Sequence, residues 1–159
     1  MDHIWSPWRY QYVSAIAQQP GCVFCRMLAE DDDEKNFIVH RGKLNFVVLN
    51  IFPYTSGHLM VVPYEHQGEL GGLDQAAGSE MLELARRCER AITQEYRPDG
   101  FNVGFNLGKC AGAGVAEHLH LHVVPRWCGD ANFVSVIGET RNLPEALETT
   151  FSRLRKHLH

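Results

Sequence analysis

No stretch of this chain is apolar for the ~18 residues that a membrane-spanning helix needs. Its first residues also lack the basic region and apolar block of a secretory signal. Positive charge is not in excess: 15 Lys and Arg stand against 19 Asp and Glu, a formal charge of −4. A bulk nucleic-acid binder carries a basic stripe or a high isoelectric point, so that class is disfavoured, whereas a small anion held by local groups remains open. Cysteines number five, an odd count in a 159-residue chain. That argues against a disulfide framework and for a reducing, cytoplasmic setting. Two phosphate-binding patterns are missing as well: there is no G-x-x-x-x-G-K-[ST], and no G-x-G-x-x-G between a strand and a helix. Repeats, linkers and a second compositional block are absent too, so one domain over 1–159 is expected, long enough to bury a core.

What stands out is His118-Leu119-His120-Leu121-His122-Val123-Val124-Pro125-Arg126. Apolar and histidine residues alternate at period two, the signature of a half-buried strand. Leu119, Leu121 and Val123 then face a core, and His118, His120 and His122 form a row on the opposite face. Same-face neighbours lie about 6.6–7 Å apart at Cα, so three imidazoles could act on one small group, a phosphate or a metal ion. Histidine changes charge near neutrality, and a row of three would repel itself if protonated, so a plain polar face is the weaker reading. A three-His metal site with an open position and covalent catalysis by one imidazole both fit the spacing.

The rest of the chain frames this row. Residues 1–20 form an aromatic, irregular arm containing Trp5, Trp8, Tyr10 and Tyr12. The acidic run Asp31-Asp32-Asp33-Glu34 reads as a solvated loop. Two strands, 37–39 and 44–51, flank Arg41-Gly42 as a hairpin, and a third, 58–62, stops at Pro63. His40 and His58 read as structural. Over 73–96 the period changes, with Leu73, Ala76, Ala77, Met81, Leu84, Ala85, Cys88 and Ile92 recurring at helical spacing. Asp74 is the expected cap, Cys88 a buried small hydrophobe, and Pro98-Asp99-Gly100 the stop. A fourth strand, 101–108, turns Phe101, Val103 and Phe105 one way and Asn102, Gly104 and Asn106 the other. The loop 109–114, with Lys109, Gly112 and Gly114, is small in side chain and lets backbone N–H groups approach an anion. Arg126 offers a guanidinium whose fork matches phosphate. Cys110 and Cys128 lie in loops flanking the histidine strand, with no chemical role assigned. A C-terminal helix in 141–159, opened by Pro144, turns Leu147, Phe151 and Leu154 inward. Strands cluster around one long helix, which is α+β with an antiparallel sheet. Cys22 and Cys25 form a lone C-x-x-C, ambiguous by itself between a redox pair, half a zinc site and nothing.

The histidine row followed by Pro125-Arg126 resembles the signature of the histidine triad (HIT) superfamily of nucleotide hydrolases and transferases. Within it, Ile4-Trp5-Ser6-Pro7-Trp8-Arg9, Gly112-Ala113-Gly114-Val115 and Arg126-Trp127-Cys128-Gly129-Asp130-Ala131-Asn132-Phe133 are similar to the bacterial diadenosine tetraphosphate phosphorylase branch. The resemblance implies a five-stranded sheet and a homodimer whose sheets join. It implies that His120 is the nucleophile taking a nucleoside monophosphate, that His122 donates to the non-bridging oxygens, and that His118 orients His120. Asn50 would hold the ribose hydroxyls, and Asn106 with the glycine loop the α-phosphate and polyphosphate. Structural zinc on Cys22, Cys25, His66 and His118 follows from the same resemblance, with no organic cofactor. The substrate implied is a dinucleoside polyphosphate, with inorganic phosphate as acceptor. Hydrolysis of such compounds or of nucleoside phosphoramidates stays open. So do a three-His metal hydrolase and a non-catalytic nucleotide-binding module.

Overall fold

The computed structural model describes residues 21–130 and 145–158. The expected arm over 1–20, the expected helix opening at 142–144 and the segment Ala131-Asn132-Phe133 lie outside the described residues. Helix α1 spans Val23–Glu30, followed by strands β1 (Ile38–Arg41), β2 (Asn45–Leu49) and β3 (Leu59–Pro63). Helix α2 (Gln75–Tyr96), strands β4 (Gly100–Phe105) and β5 (Leu121–Arg126) and helix α3 (Leu147–Leu158) complete the order. The five strands make one sheet in the order β1-β2-β3-β5-β4, and every neighbouring pair is antiparallel. The expected α+β fold with a five-stranded antiparallel sheet, one long helix and a C-terminal helix is what the chain adopts.

Both faces of the sheet are covered. On one face Val47, Leu49, Leu59, Val61, Leu119, Leu121 and Val123 pack under α2 and α3 through Met81, Leu84, Cys88, Ile92, Phe151 and Leu154. On the other, Phe46, Val48, Met60 and Val62 pack against Phe24 of α1 and Val115. Strands β2 and β3 are therefore buried at every position, as the apolar runs 46–49 and 59–63 require, and the polar Asn45 at the start of β2 is held by Ala77 and Glu80. Asp74 caps α2 as expected, its carboxylate accepting from the N–H groups of Ala76 and Ala77. Glu80, further along the helix, accepts from the N–H groups of Lys43 and Leu44 and from the Asn45 amide, tying the β1–β2 turn to the helix.

Three expectations change. The histidine segment is not half-buried, because α1 and the chain around Val115 roof its second face; His118, His120 and His122 are all buried. Strand geometry also begins only at Leu121, although Leu119 keeps its inward face. On β4, Phe101 and Phe105 pack toward the core, but Val103 between them is 53% exposed; among the described residues β4 is an edge strand with no neighbour on its far side.

Candidate functional site

Helix α1 builds one end of the site. Cys22 is its N-cap and Cys25 lies three residues on, so both sulfurs project from one side of the first turn. Between them Phe24 is buried, its ring centroid 5.3 Å from each of the His118 and His120 rings. Strand β3 ends at Pro63, and His66 follows in the turn beyond. The Nε2–H of His118 donates to the Pro63 carbonyl at 2.9 Å, which leaves the Nδ1 lone pair facing the sulfurs of Cys22 and Cys25 at 3.2 and 3.6 Å. His66 Nδ1 lies 3.3 Å from Cys25 Sγ, and the four ligand atoms lie within 4.8 Å of one another. A tetrahedral zinc with bonds of about 2.0–2.3 Å has ligand-to-ligand edges of roughly 3.3–3.8 Å. The donor set therefore fits a closed Cys2His2 centre.

The histidine row is thereby divided. His118 turns to the cysteine side, and only His120 and His122 reach the narrow pocket on the other side, which Asn50, Asn106, Gly112 and Gly114 also line. His120 Nδ1–H donates to the main-chain carbonyl of His118 at 2.8 Å. Its Nε2 therefore carries a lone pair, directed away from the backbone. Burial holds both imidazoles below their ordinary value, His122 at about 4 with the neighbouring His120 adding to the effect. Both are neutral near pH 7. One end of this row is thus suited to attack an electrophilic phosphorus. The nitrogens of His118 are already engaged, so three imidazoles do not converge on one metal ion. His118 was expected to orient His120; the contact between the two runs through the His118 carbonyl oxygen rather than its ring.

His58, expected to be structural, is fully buried against the row. Its Nε2 lies 2.9 Å from His122 Nδ1, and its Nδ1 accepts from the N–H of Tyr54 at 3.1 Å. His122 Nε2 in turn lies 3.4 Å from the Asn106 carboxamide. The sequence signal for His58 was its place at the entry of an apolar strand, which does not by itself separate packing from chemistry.

The remaining expected residues divide. Asn50 lines the pocket, but its Oδ1 accepts from the Phe52 N–H at 2.9 Å, an Asx turn, and its amide faces His58. The loop after β4 folds into a 3-10 turn over Lys109–Ala111. The N–H groups of Ala111, Gly112 and Ala113 point back to the carbonyls of Gly108 and Lys109. The expected cradle of free backbone donors is therefore reduced at those three residues, although Gly112 and Gly114 still let the backbone close on the pocket. Lys109 is exposed and outside the pocket lining. Arg126 is the clear correction. Its fork is taken by Asp130 in a bidentate pair at 2.6 and 2.7 Å, with Asn102 on the remaining nitrogen, so it is not aimed at a phosphate beside His120. It lines a wider cavity of about 770 Å³ that runs from His122 and Tyr54 across Gly104 and Phe105 to Trp127 and Arg153. All five cysteines are free, with Cys88 buried and its thiol pushed up to about 12, and Cys110 and Cys128 exposed.

Comparison with known proteins matches residues 32–128 to the HIT domain. The chain belongs to the HIT family. Among characterised HIT relatives, the AP-4-A phosphorylase of Mycobacterium tuberculosis is 41% identical over 158 residues, 94% of this chain and 80% of that one. A zinc-bound histidine triad protein from Mycobacterium smegmatis superposes with a TM-score of 0.70 at 29% identity, covering 87% of this chain and 93% of that structure. A HIT protein from Bacillus subtilis superposes at 0.63 with 26% identity over 86% of this chain and 96% of its own. This HIT protein is an enzyme, a phosphorylase or a hydrolase. Among its described residues no helix is long and apolar enough to cross a membrane.

Proposed function

We propose that the protein transfers a nucleotidyl group from a dinucleoside polyphosphate, diadenosine tetraphosphate, to inorganic phosphate, giving ATP and ADP. In the first step His120 Nε2 attacks the α-phosphorus. The bond from that phosphorus to the β-phosphate oxygen breaks, and ATP departs with the electron pair. In the second, a phosphate oxygen attacks the same phosphorus, the N–P bond returns its pair to Nε2, and ADP leaves. Neutral imidazole is both nucleophile and leaving group near pH 7, which divides one hard displacement into two easier ones. His122 donates a hydrogen bond to the non-bridging oxygens as preorganised stabilisation. Asn106 and the backbone at Gly112 and Gly114 contain the phosphates, and Lys109 adds a cation at the loop. Asn50 holds the ribose, within the limit its Asx turn sets.

The observation that carries this reading is the His120 hydrogen bond to its neighbour's carbonyl, which frees Nε2 in the pocket shared with His122. The choice of phosphate over water as acceptor rests on the 41% identity to the AP-4-A phosphorylase. Zinc on Cys22, Cys25, His66 and His118 would supply a structural crosslink between α1 and the start of the histidine segment, with no part in the displacement. The edge strand β4, with Val103 exposed, supports a homodimer whose sheets join there. Five free cysteines support a cytoplasmic setting.

The chemical test is to trap the intermediate. Protein mixed with substrate in the absence of phosphate and quenched in base should carry an adenylyl group on the peptide containing His120. His120→Ala should lose turnover by roughly 10⁴-fold or more, as expected for removal of a nucleophile. A label on another residue, or near-normal turnover by the variant, would overturn the assignment.

A further inference from the structure

His58 is not among the residues that line the narrow pocket, yet it lies in hydrogen-bond contact with one of the two pocket histidines. Its surroundings fix where its proton sits. A main-chain N–H can only donate, and that of Tyr54 points at His58 Nδ1 from 3.1 Å, so Nδ1 accepts. The Asn50 amide nitrogen lies on the same atom at 3.3 Å. Neutral His58 must therefore carry its proton on Nε2, which is 2.9 Å from His122 Nδ1. That nitrogen accepts in turn, and the His122 proton is left on Nε2, against Asn106 and the pocket.

We propose that His58 is a positioning residue that locks His122 in its Nε2–H tautomer and so makes it a hydrogen-bond donor to the reacting phosphoryl group. The two pocket histidines are thereby set to opposite tasks by opposite anchors. His120 gives its Nδ1 proton to a carbonyl and presents a lone pair, while His122 receives a proton at Nδ1 and presents an N–H. Without the His58 donor, a neutral imidazole populates both tautomers and can turn its ring over, and part of the population would then present a second lone pair to an anionic oxygen. The relay also excludes His122 as the acid for the leaving group. Giving up its Nε2 proton would leave either His122 or His58 as an imidazolate, since Tyr54 supplies no further proton. The role at the phosphoryl group rests on the proposed nucleotidyl transfer; the tautomer does not.

Two variants separate positioning from packing. His58→Gln keeps an N–H near the Nε2 position, whereas His58→Leu fills the space without a donor. The expected result is a kcat for His58→Leu lower by roughly tenfold to a hundredfold, the scale of a weakened oxyanion donor, with KM changed little. His58→Gln should recover most of that loss. Long-range ¹H–¹⁵N spectra of the ligand-free protein read the tautomer directly, with or without turnover. Native His122 should show a protonated Nε2 and an unprotonated Nδ1, and His58→Leu a mixture. Equal kcat losses in two folded variants, or a protonated Nδ1 on native His122, would overturn the proposal. If the native tautomer is as stated but diadenosine tetraphosphate is not turned over, the functional reading fails and the relay stands.

Discussion

At the scale of single residues, the site is a set of imidazoles kept neutral by burial. His118, His120 and His122 all lie below their ordinary value chiefly because the fold removes water from the charged form. A histidine depressed in this way binds fewer protons when folded than when unfolded. Its contribution to stability is present above the ordinary value of 6.5 and, for His122, is lost as the pH falls toward about 4. Thermal unfolding followed across that window should show a falling melting temperature, and His122→Asn should make the slope shallower. The same depression keeps His120 nucleophilic where a free imidazole would be half protonated. The acid limb of the pH–rate profile should therefore lie below 6.5. An acid limb at or above that value would mean that the pocket does not hold His120, the proposed nucleophile, neutral.

At the scale of elements, α1 links the metal-type cluster to the chemistry. It carries Cys22 and Cys25, and its Phe24 roofs the rings of His118 and His120. Purified protein is expected to hold about one zinc per chain. Cys22→Ser should lose that metal and unfold at a lower temperature, because structural metal binding is coupled to folding. Metal-free protein of unchanged stability would refute the zinc reading and leave α1 held by Phe24 and its apolar neighbours alone. This helix is also the element that sequence pattern hid. Val23, Phe24, Met27 and Leu28 have helical spacing, but over only eight residues, and the C-x-x-C pulled attention to ligation instead. By contrast, α2 was legible because its apolar stripe runs for six turns with an Asp74 cap. The alternation of β5 was legible in direction but not in burial. A period-two pattern tells which side chains share a face, and it cannot tell that a distant helix covers the polar one. Asn50 was placed by the family resemblance and Arg126 by the fit of a guanidinium to phosphate, yet their partners, Phe52 and Asp130, come from local turns that neither argument encodes. His58 was undervalued for the same reason, since its partner His122 is 64 residues away.

At the scale of the whole molecule, the sheet ends on one side in β4, whose outer edge and Val103 are left uncovered by the described residues. An unpaired edge with an exposed apolar residue is suited to strand pairing with a second copy. Sedimentation should give a dimer or a multiple of it, and Val103→Lys should shift it toward monomer; a native monomer would remove the joined-sheet reading. The proposed reaction as a whole turns on what accepts the group from His120. Turnover of diadenosine tetraphosphate in ¹⁸O-labelled inorganic phosphate decides this most directly. Phosphorolysis predicts ATP and ADP in equal amounts, with the label in the β-phosphate of ADP. ATP with AMP and no label in any nucleotide would contradict the account and make the enzyme a hydrolase.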